Sequence, residues 1–198
     1  MRNRNEHKII TKTHQEKKGT STLIRWGLPL LLIVGAVAIF ALFQSPRQAV
    51  SNSPQFGGEV GDNAPDFRVP TLDGKTFVLS ENQGKPTIIL FMAYWCSNCV
   101  PEARALAKLK NEYGDQINII ALDIDASSTA EGLEQFKQAA DNGMYVWAFD
   151  PAFEVASSYQ VNALDTTLIL DAKGVIFYRD QVPSTYGTLK GELEKLLQ

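Results

Sequence analysis

Cysteine and histidine are scarce in this sequence of 198 residues. Its two cysteines, Cys96 and Cys99, are too few for a scaffold held by several disulfides or for a four-cysteine metal site. Both histidines, His7 and His14, lie within the first 25 residues, so the rest of the chain has no histidine ligand. Any chemistry that needs sulfur therefore rests on one closely spaced cysteine pair.

The composition suits one folded domain with a tail. Hydrophobic residues make up 44% of the chain and charged residues 21%, which excludes collagen-like, coiled-coil and fully disordered classes. After residue 25, 20 acidic residues outnumber 12 basic residues. This acidic excess argues against nucleic acid as a partner of the main domain.

The N-terminal residues predict a membrane anchor. Seven basic residues against two acidic ones give residues 1–25 a net charge of about +5. Residues 26–43 are an uncharged apolar run of 18 residues, which as a helix reaches about 27 Å, close to the roughly 30 Å core of a bilayer. A buried core helix fits less well because no polar face interrupts the run. We expect a basic cytoplasmic tail followed by a transmembrane helix.

Charge asymmetry predicts the orientation of this signal-anchor. Arg47 is the single basic residue just after the run, so the N-terminus is expected in the cytoplasm and the remainder outside it, in a single-pass protein of the cell membrane. A cleaved signal peptide is the alternative, although residues 40–43 are bulky and offer no cleavage site. Residues 44–58 predict a linker, and residues 59–198 the folded domain.

The domain alternates short apolar strands with helical patterns, which is typical of an α/β sheet covered by helices. The apolar run 87–93 predicts a central strand buried on both faces. The other expected strands are a hairpin at 67–69 and 76–79, a central strand at 117–123, a strand at 145–149 and a hairpin at 166–170 and 175–179. The expected helices are one from Val100 to Tyr113, one from Ser127 or Ser128 to about Ala140, one opening at Pro151, and one at 186–197.

The strongest functional signal is the motif Trp95-Cys96-Ser97-Asn98-Cys99 between the first central strand and its helix. The helix N-terminus favours a thiolate, so the pKa of Cys96 is expected below the free value of about 8.5. Cys96 can then attack a partner disulfide, and the more buried Cys99 can resolve the mixed disulfide. Half a zinc site is the alternative, but the domain lacks further cysteine or histidine ligands. No metal or other cofactor is expected.

These residues resemble the thioredoxin-like superfamily. The WCSNC motif, with the segments 61–67, 72–75 and 84–86, is similar to the membrane-anchored TlpA-like and ResA-like redoxins over roughly residues 59–197. The resemblance implies a thioredoxin-like fold and an extracytoplasmic thiol:disulfide oxidoreductase acting in cell redox homeostasis. It also implies exported protein thiols as partners, as in cytochrome c maturation, and a membrane electron donor of the CcdA or DsbD type.

The resemblance assigns roles around the cysteines. A glutamate at the place of Glu102 influences the cysteine protons in the ResA-like branch, whereas an ordinary solvated glutamate is the equal alternative. Leu90 stands where thioredoxin keeps a buried acid, so any proton shuttle must come from elsewhere. Pro101 is expected to distort the first turn of the helix. The expected active-site environment consists of Trp95, Ser97, Asn98, Asp165 and Thr166.

Asp165 is the main departure from the family pattern. The family places a cis-proline there, before a pair such as Thr166 and Thr167. A cis bond before another residue costs about 3 to 4 kcal/mol, so the 164–165 peptide is expected to be trans or strained. A carboxylate pointing at the cysteines would raise the pKa of Cys96. The alternative is a solvent-facing Asp165 that caps its own turn.

Two other functions are weaker interpretations of the same residues. A peroxidase of the peroxiredoxin class has no use for the WCSNC motif. A copper- or zinc-binding thioredoxin-like module would use Cys96, Cys99 and Asp165, because Sco-type copper proteins also replace the proline, but this ligand set is incomplete. Disulfide exchange is therefore favoured over metal handling.

Overall fold

A computed structural model describes residues 57–198 of the chain. The strands are β1 Arg68–Pro70, β2 Thr76–Val78, β3 Thr87–Met92, β4 Asn118–Asp123, β5 Val146–Phe149, β6 Thr166–Leu170 and β7 Ile176–Asp180. The α-helices are α1 Val100–Tyr113, α2 Ala130–Ala139, α3 Glu154–Ser158 and α4 Tyr186–Glu194, and short 3-10 turns cover Ser80–Asn82, Ser97–Cys99 and Gly114–Gln116.

The predicted tail, the predicted membrane helix and nearly all of the predicted linker lie outside the described residues. Within residues 57–198, no helix is long and apolar enough to cross a membrane.

A five-stranded mixed sheet organises the domain. Its strand order is β5-β4-β3-β6-β7. Strand β3 runs parallel to β4 and antiparallel to β6, while β1 and β2 form a separate antiparallel hairpin. The α/β architecture and the central position of β3 are therefore as the sequence predicts.

Strand β3 is central because all six of its residues are buried. Ile88 and Leu90 pack into a hydrophobic cluster with α1, α2 and α4, whereas Ile89 and Phe91 pack on the opposite face with α3 and the hairpin. Burial of a side chain of this size contributes about 1.5–3 kcal/mol. Cover on both faces explains why the run is apolar throughout rather than alternating.

Two helix starts differ from the sequence predictions. Helix α2 is capped by Thr129, whose Oγ1 accepts a 3.0 Å hydrogen bond from the Gly132 N–H, rather than by Ser127 or Ser128. Helix α3 begins at Glu154 instead of at Pro151. The Asp150 carboxylate accepts from the backbone N–H groups at 154 and 156, so the acid before the proline fixes the helix start.

Pro101 lies in the first turn of α1, where a proline is tolerated. In a regular helix the N–H of residue 101 would donate to the Ser97 carbonyl, but proline has no N–H. The Ser97 carbonyl accepts from the Val100 N–H instead. The expected distortion is therefore confined to the 3-10 turn Ser97–Cys99 that precedes the helix. That turn carries the cysteine motif.

Candidate active site

The cysteine pair follows the carboxyl end of β3. The Cys96 N–H donates to the Ala93 carbonyl (2.8 Å), and the Cys99 N–H donates to the Cys96 carbonyl (3.1 Å), which folds the motif into a tight turn. The two sulfurs form a disulfide with an Sγ–Sγ distance of 2.05 Å. Cys96 retains 9% of its surface exposure and Cys99 none. An incoming thiol or disulfide therefore reaches Cys96 first.

The outer side of the disulfide is formed by three exposed residues of the motif. Trp95 keeps 58% of its surface exposed, and its indole Nε1 donates a 2.8 Å hydrogen bond to Asp125 Oδ2. Ser97 and Asn98 are exposed in the 3-10 turn. These residues present an aromatic and polar rim to a partner protein.

The inner side of the motif carries Glu102, one turn into α1. Glu102 has no exposed surface, so its interpretation as an ordinary solvated glutamate is wrong. Its Oε1 accepts a 2.6 Å hydrogen bond from the Thr167 hydroxyl, and its Oε2 accepts a 2.8 Å hydrogen bond from the Ser184 N–H. Residues three apart on a helix are neighbours, so this carboxyl lies on the same side of α1 as Cys99.

Burial raises the pKa of Glu102 to about 8. The hydrogen bonds from Thr167 and Ser184 favour the charged form and oppose this shift, while the negative charges of Asp180 and Asp165 add to it. Near neutral pH, the Glu102 carboxyl is therefore able to hold a proton beside the buried cysteine.

Asp165 immediately precedes β6 and has a strained backbone. Its φ of +63° lies in the left-handed region, which costs an ordinary side chain about 1–3 kcal/mol. The Asp165 N–H donates a 2.9 Å hydrogen bond to the Phe91 carbonyl, which ties the loop to the end of β3. The trans or strained state expected for the 164–165 peptide bond concerns a different angle and stays a prediction.

The Asp165 side chain is buried, with 4% of its surface exposed, so the solvent-facing alternative is wrong. Burial raises the pKa of Asp165 to about 6, the Glu102 carboxyl lowers it by offering a hydrogen bond when Glu102 is protonated, and the Asp180 charge raises it. Its titration is thus linked to that of two other carboxyls. An effect of Asp165 on the pKa of Cys96 stays a prediction.

Sequence reasoning missed three residues near these carboxyls: Thr167 and Ser184, which donate to Glu102, and Asp180, whose charge acts on both. Thr167, the residue after the predicted site residue Thr166, reaches Glu102, because Thr167 pairs with Leu90 and shares its face of the sheet. The Thr166 hydroxyl donates to the Ala163 carbonyl. Strand alternation after the Thr-Thr pair is the signal that identifies Thr167. Asp180 accepts a hydrogen bond from the Ser184 hydroxyl. No local sequence pattern predicts that Asp180 or Ser184 belongs to the site.

The metal-binding alternative gains no geometric support. Within residues 57–198, no three cysteine, histidine, aspartate or glutamate side chains are grouped as a metal site requires. The proposed ligands Cys96 and Cys99 are bonded to each other. The described residues thus present a disulfide with buried carboxyls behind it.

The family follows from comparison with known proteins. The model of the AhpC/TSA family matches residues 60–179. The chain belongs to this family. The thioredoxin-like protein YneN of Bacillus subtilis is 31% identical over 159 residues, which are 78% of this chain and 88% of that protein. The thiol-disulfide oxidoreductase ResA of Oceanobacillus iheyensis is 30% identical over 190 residues, 93% of this chain and 94% of that protein.

Solved structures share the fold. A secreted Mycobacterium tuberculosis disulfide oxidoreductase superposes with a TM-score of 0.59 at 20% identity, over 66% of this chain and 96% of that one. A thioredoxin-like protein from Aeropyrum pernix superposes with a TM-score of 0.57 at 22% identity, over 66% and 89% of the two chains. The AhpC/TSA chain therefore has a thioredoxin-like fold, and with its Cys96–Cys99 pair it is a thiol–disulfide oxidoreductase.

Proposed function

We propose that this oxidoreductase is a single-pass protein of the cell membrane whose domain exchanges disulfides with exported proteins, including those of cytochrome c maturation. The observation that carries the proposal is the asymmetry of the cysteine pair: Cys96 is partly exposed behind an open rim, and Cys99 is buried. Similarity to ResA proteins supports the choice of exported thiols. The basic N-terminal segment and the apolar run after it support the anchor.

The exchange takes place in two steps. The Cys96 thiolate attacks a partner disulfide, forms a mixed disulfide and releases one partner thiolate. Cys99 then loses its proton and attacks the Cys96 sulfur, which forms the Cys96–Cys99 disulfide and releases the second partner thiolate. Two electrons pass to the partner, and a membrane donor of the CcdA or DsbD type returns the domain to the dithiol state.

Single cysteine variants test the roles of the two sulfurs. Cys99→Ser leaves the attacking thiol without a resolving partner, so we expect it to accumulate mixed disulfides with exported proteins on non-reducing gels. Cys96→Ser should trap none and should abolish disulfide reduction. The reverse pattern, with partners trapped by Cys96→Ser, contradicts the assigned roles.

Protease accessibility tests the topology. Protease added to intact spheroplasts should digest the domain at residues 59–198, whereas a cytoplasmic marker protein should stay intact until the cells are lysed. Full protection of the domain overturns the extracytoplasmic assignment.

Deletion of the gene tests the role in cytochrome c maturation. In a strain that lacks the protein, the level of cytochrome c with covalently bound haem should fall. The wild-type chain should restore that level, and Cys96→Ser should not. An unchanged level in the deletion strain removes cytochrome c from the proposal.

A further inference from the structure

Three acidic side chains from three separate elements act on one another through their charges. Glu102 comes from α1, Asp165 from the loop before β6, and Asp180 from β7. Asp180 is stabilised by donors, since it accepts hydrogen bonds from the Tyr178 hydroxyl (2.7 Å) and from the Ser184 hydroxyl. Glu102 likewise receives one donor on each oxygen. Asp165 differs from both.

Neither carboxylate oxygen of Asp165 accepts a hydrogen bond from a donor among residues 57–198. Asp165 stands two residues before Thr167, whose hydroxyl bonds Glu102, and its carboxyl interacts with that of Glu102. Two ionised carboxylates cannot bond to each other because both only accept. Leaving a buried charge without a partner costs several kcal/mol. One proton placed on either carboxyl turns it into a donor and supplies the missing hydrogen bond.

We propose that Asp165 is a positioning residue of the active site, which shares a single proton with Glu102 and so sets the pH at which Glu102 exchanges a proton with the cysteine pair. The other groups near Asp165 and Glu102 do not supply a proton in place of the shared one. Asp180 adds negative charge, Tyr178 stays protonated because burial raises its pKa to about 12, and Thr167 and Ser184 contribute neutral donors.

The shared proton has a place in the exchange reaction. Oxidation of the two thiols to the disulfide gives up two electrons and two protons, and the partner sulfurs take up the same number. The proton of buried Cys99 must leave before its sulfur can attack Cys96. When the shared proton is on Asp165, Glu102 is a carboxylate and accepts the Cys99 proton. The pair then holds two protons and releases one to the departing partner thiolate, which restores the single shared proton. This inference rests on thiol–disulfide exchange and is independent of the partner and of the membrane topology.

Carboxyl titration in the oxidised full-length protein tests the shared proton without interference from thiols. Site-resolved carbon NMR of the carboxyl groups should show that Asp165→Asn lowers the titration midpoint of Glu102 by at least one pH unit, because a neighbouring negative charge has gone. Glu102→Gln should leave the midpoint of Asp165 near pH 6, because Asp165 ionises in the wild type while Glu102 is still protonated and neutral. Asparagine tolerates the left-handed backbone and keeps the N–H bond to Phe91.

The matched control is Asp115→Asn, which removes an exposed carboxylate far from the cluster and should leave both midpoints in place. A Glu102 midpoint that moves no more in Asp165→Asn than in Asp115→Asn overturns the proposal. That result leaves the oxidoreductase function intact, because trapping by Cys99→Ser does not depend on it.

A double-mutant cycle tests whether Asp165 acts through Glu102. In the reduced protein, the pH of half-maximal reaction with glutathione disulfide should fall in Asp165→Asn by the same shift as in the NMR titration. In a Glu102→Gln background, Asp165→Asn should produce no further shift. A full additional shift in that background means that Asp165 acts directly on a thiol, which also overturns the proposal.

Discussion

The Thr167 hydroxyl donates a 2.6 Å hydrogen bond to Oε1 of Glu102, across a sequence separation of 65 residues. This bond joins β6 to the helix that carries the resolving cysteine. It fixes the orientation of a buried carboxyl that would otherwise have one unsatisfied oxygen. The cysteine motif and the loop before β6 are therefore coupled through a side chain on each.

Replacement of Thr167 tests this coupling. Thr167→Val keeps the shape of the side chain and removes the donor, so it should lower the free energy of unfolding by about 1–3 kcal/mol above the Glu102 pKa of about 8. Thr167→Ser keeps the hydroxyl and serves as the control in urea denaturation. Equal stability of the two variants at this pH contradicts a stabilising role for the bond.

Stability of the oxidised protein should fall as pH rises from about 4 to about 8. The pKa values of Asp165 and Glu102 are raised by folding to about 6 and about 8, so the folded state holds protons that the unfolded state has already lost. Their contribution is complete at acid pH and disappears as pH passes the folded values. The decline reaches at most about 1.4 kcal/mol per pH unit for each group.

Glu102→Gln separates the two contributions. In the variant, only Asp165 carries a raised pKa, so the decline should end near pH 6 and the stability should stay level up to pH 8. Urea midpoints measured across this range provide the comparison. A wild-type curve that is already level between pH 6 and pH 8 shows that Glu102 is ionised throughout.

Proline at position 165 should destabilise this chain, although the family resemblance places a proline there. Proline fixes φ near −65°, against +63° for Asp165, and lacks the N–H that bonds the Phe91 carbonyl. We expect Asp165→Pro to lower the melting temperature, by a loss of about 2 kcal/mol. Asp165→Gly, which relieves the strain, should raise it. A proline variant as stable as the wild type contradicts the assigned backbone.

The start of α2 offers an independent stability test. Thr129→Ala removes the acceptor for the Gly132 N–H and should cost about 1 kcal/mol. Thr129→Ser retains an acceptor at the same place and should lose much less. If both variants lose the same stability, the threonine hydroxyl does not cap this helix.

Local sequence patterns predicted the strand and helix order of the domain. The continuous apolar run of β3, the turn residues at 73–74 and 171–174, and the glycine after α1 each act within a few residues of the chain, so their structural consequences are local. The disulfide chemistry of the cysteine motif was predicted for the same reason, since it depends on two cysteines three residues apart at the start of a helix. Helix starts were less certain because neighbouring residues compete to cap them, as Thr129 and Ser128 do.

Only the tertiary structure decided the environment of Glu102. By sequence, this residue is equally compatible with a solvated helix surface and with a buried site, because its own neighbours do not determine what packs over it. The partners Thr167 and Ser184 lie 65 and 82 residues further along the chain, and packing of β6 and the loop after β7 against α1 brings them together. The sequence by itself determined the disulfide chemistry of Cys96 and Cys99, and the long-range packing determined the buried carboxyls beside it, because burial depends on contacts that no local pattern encodes.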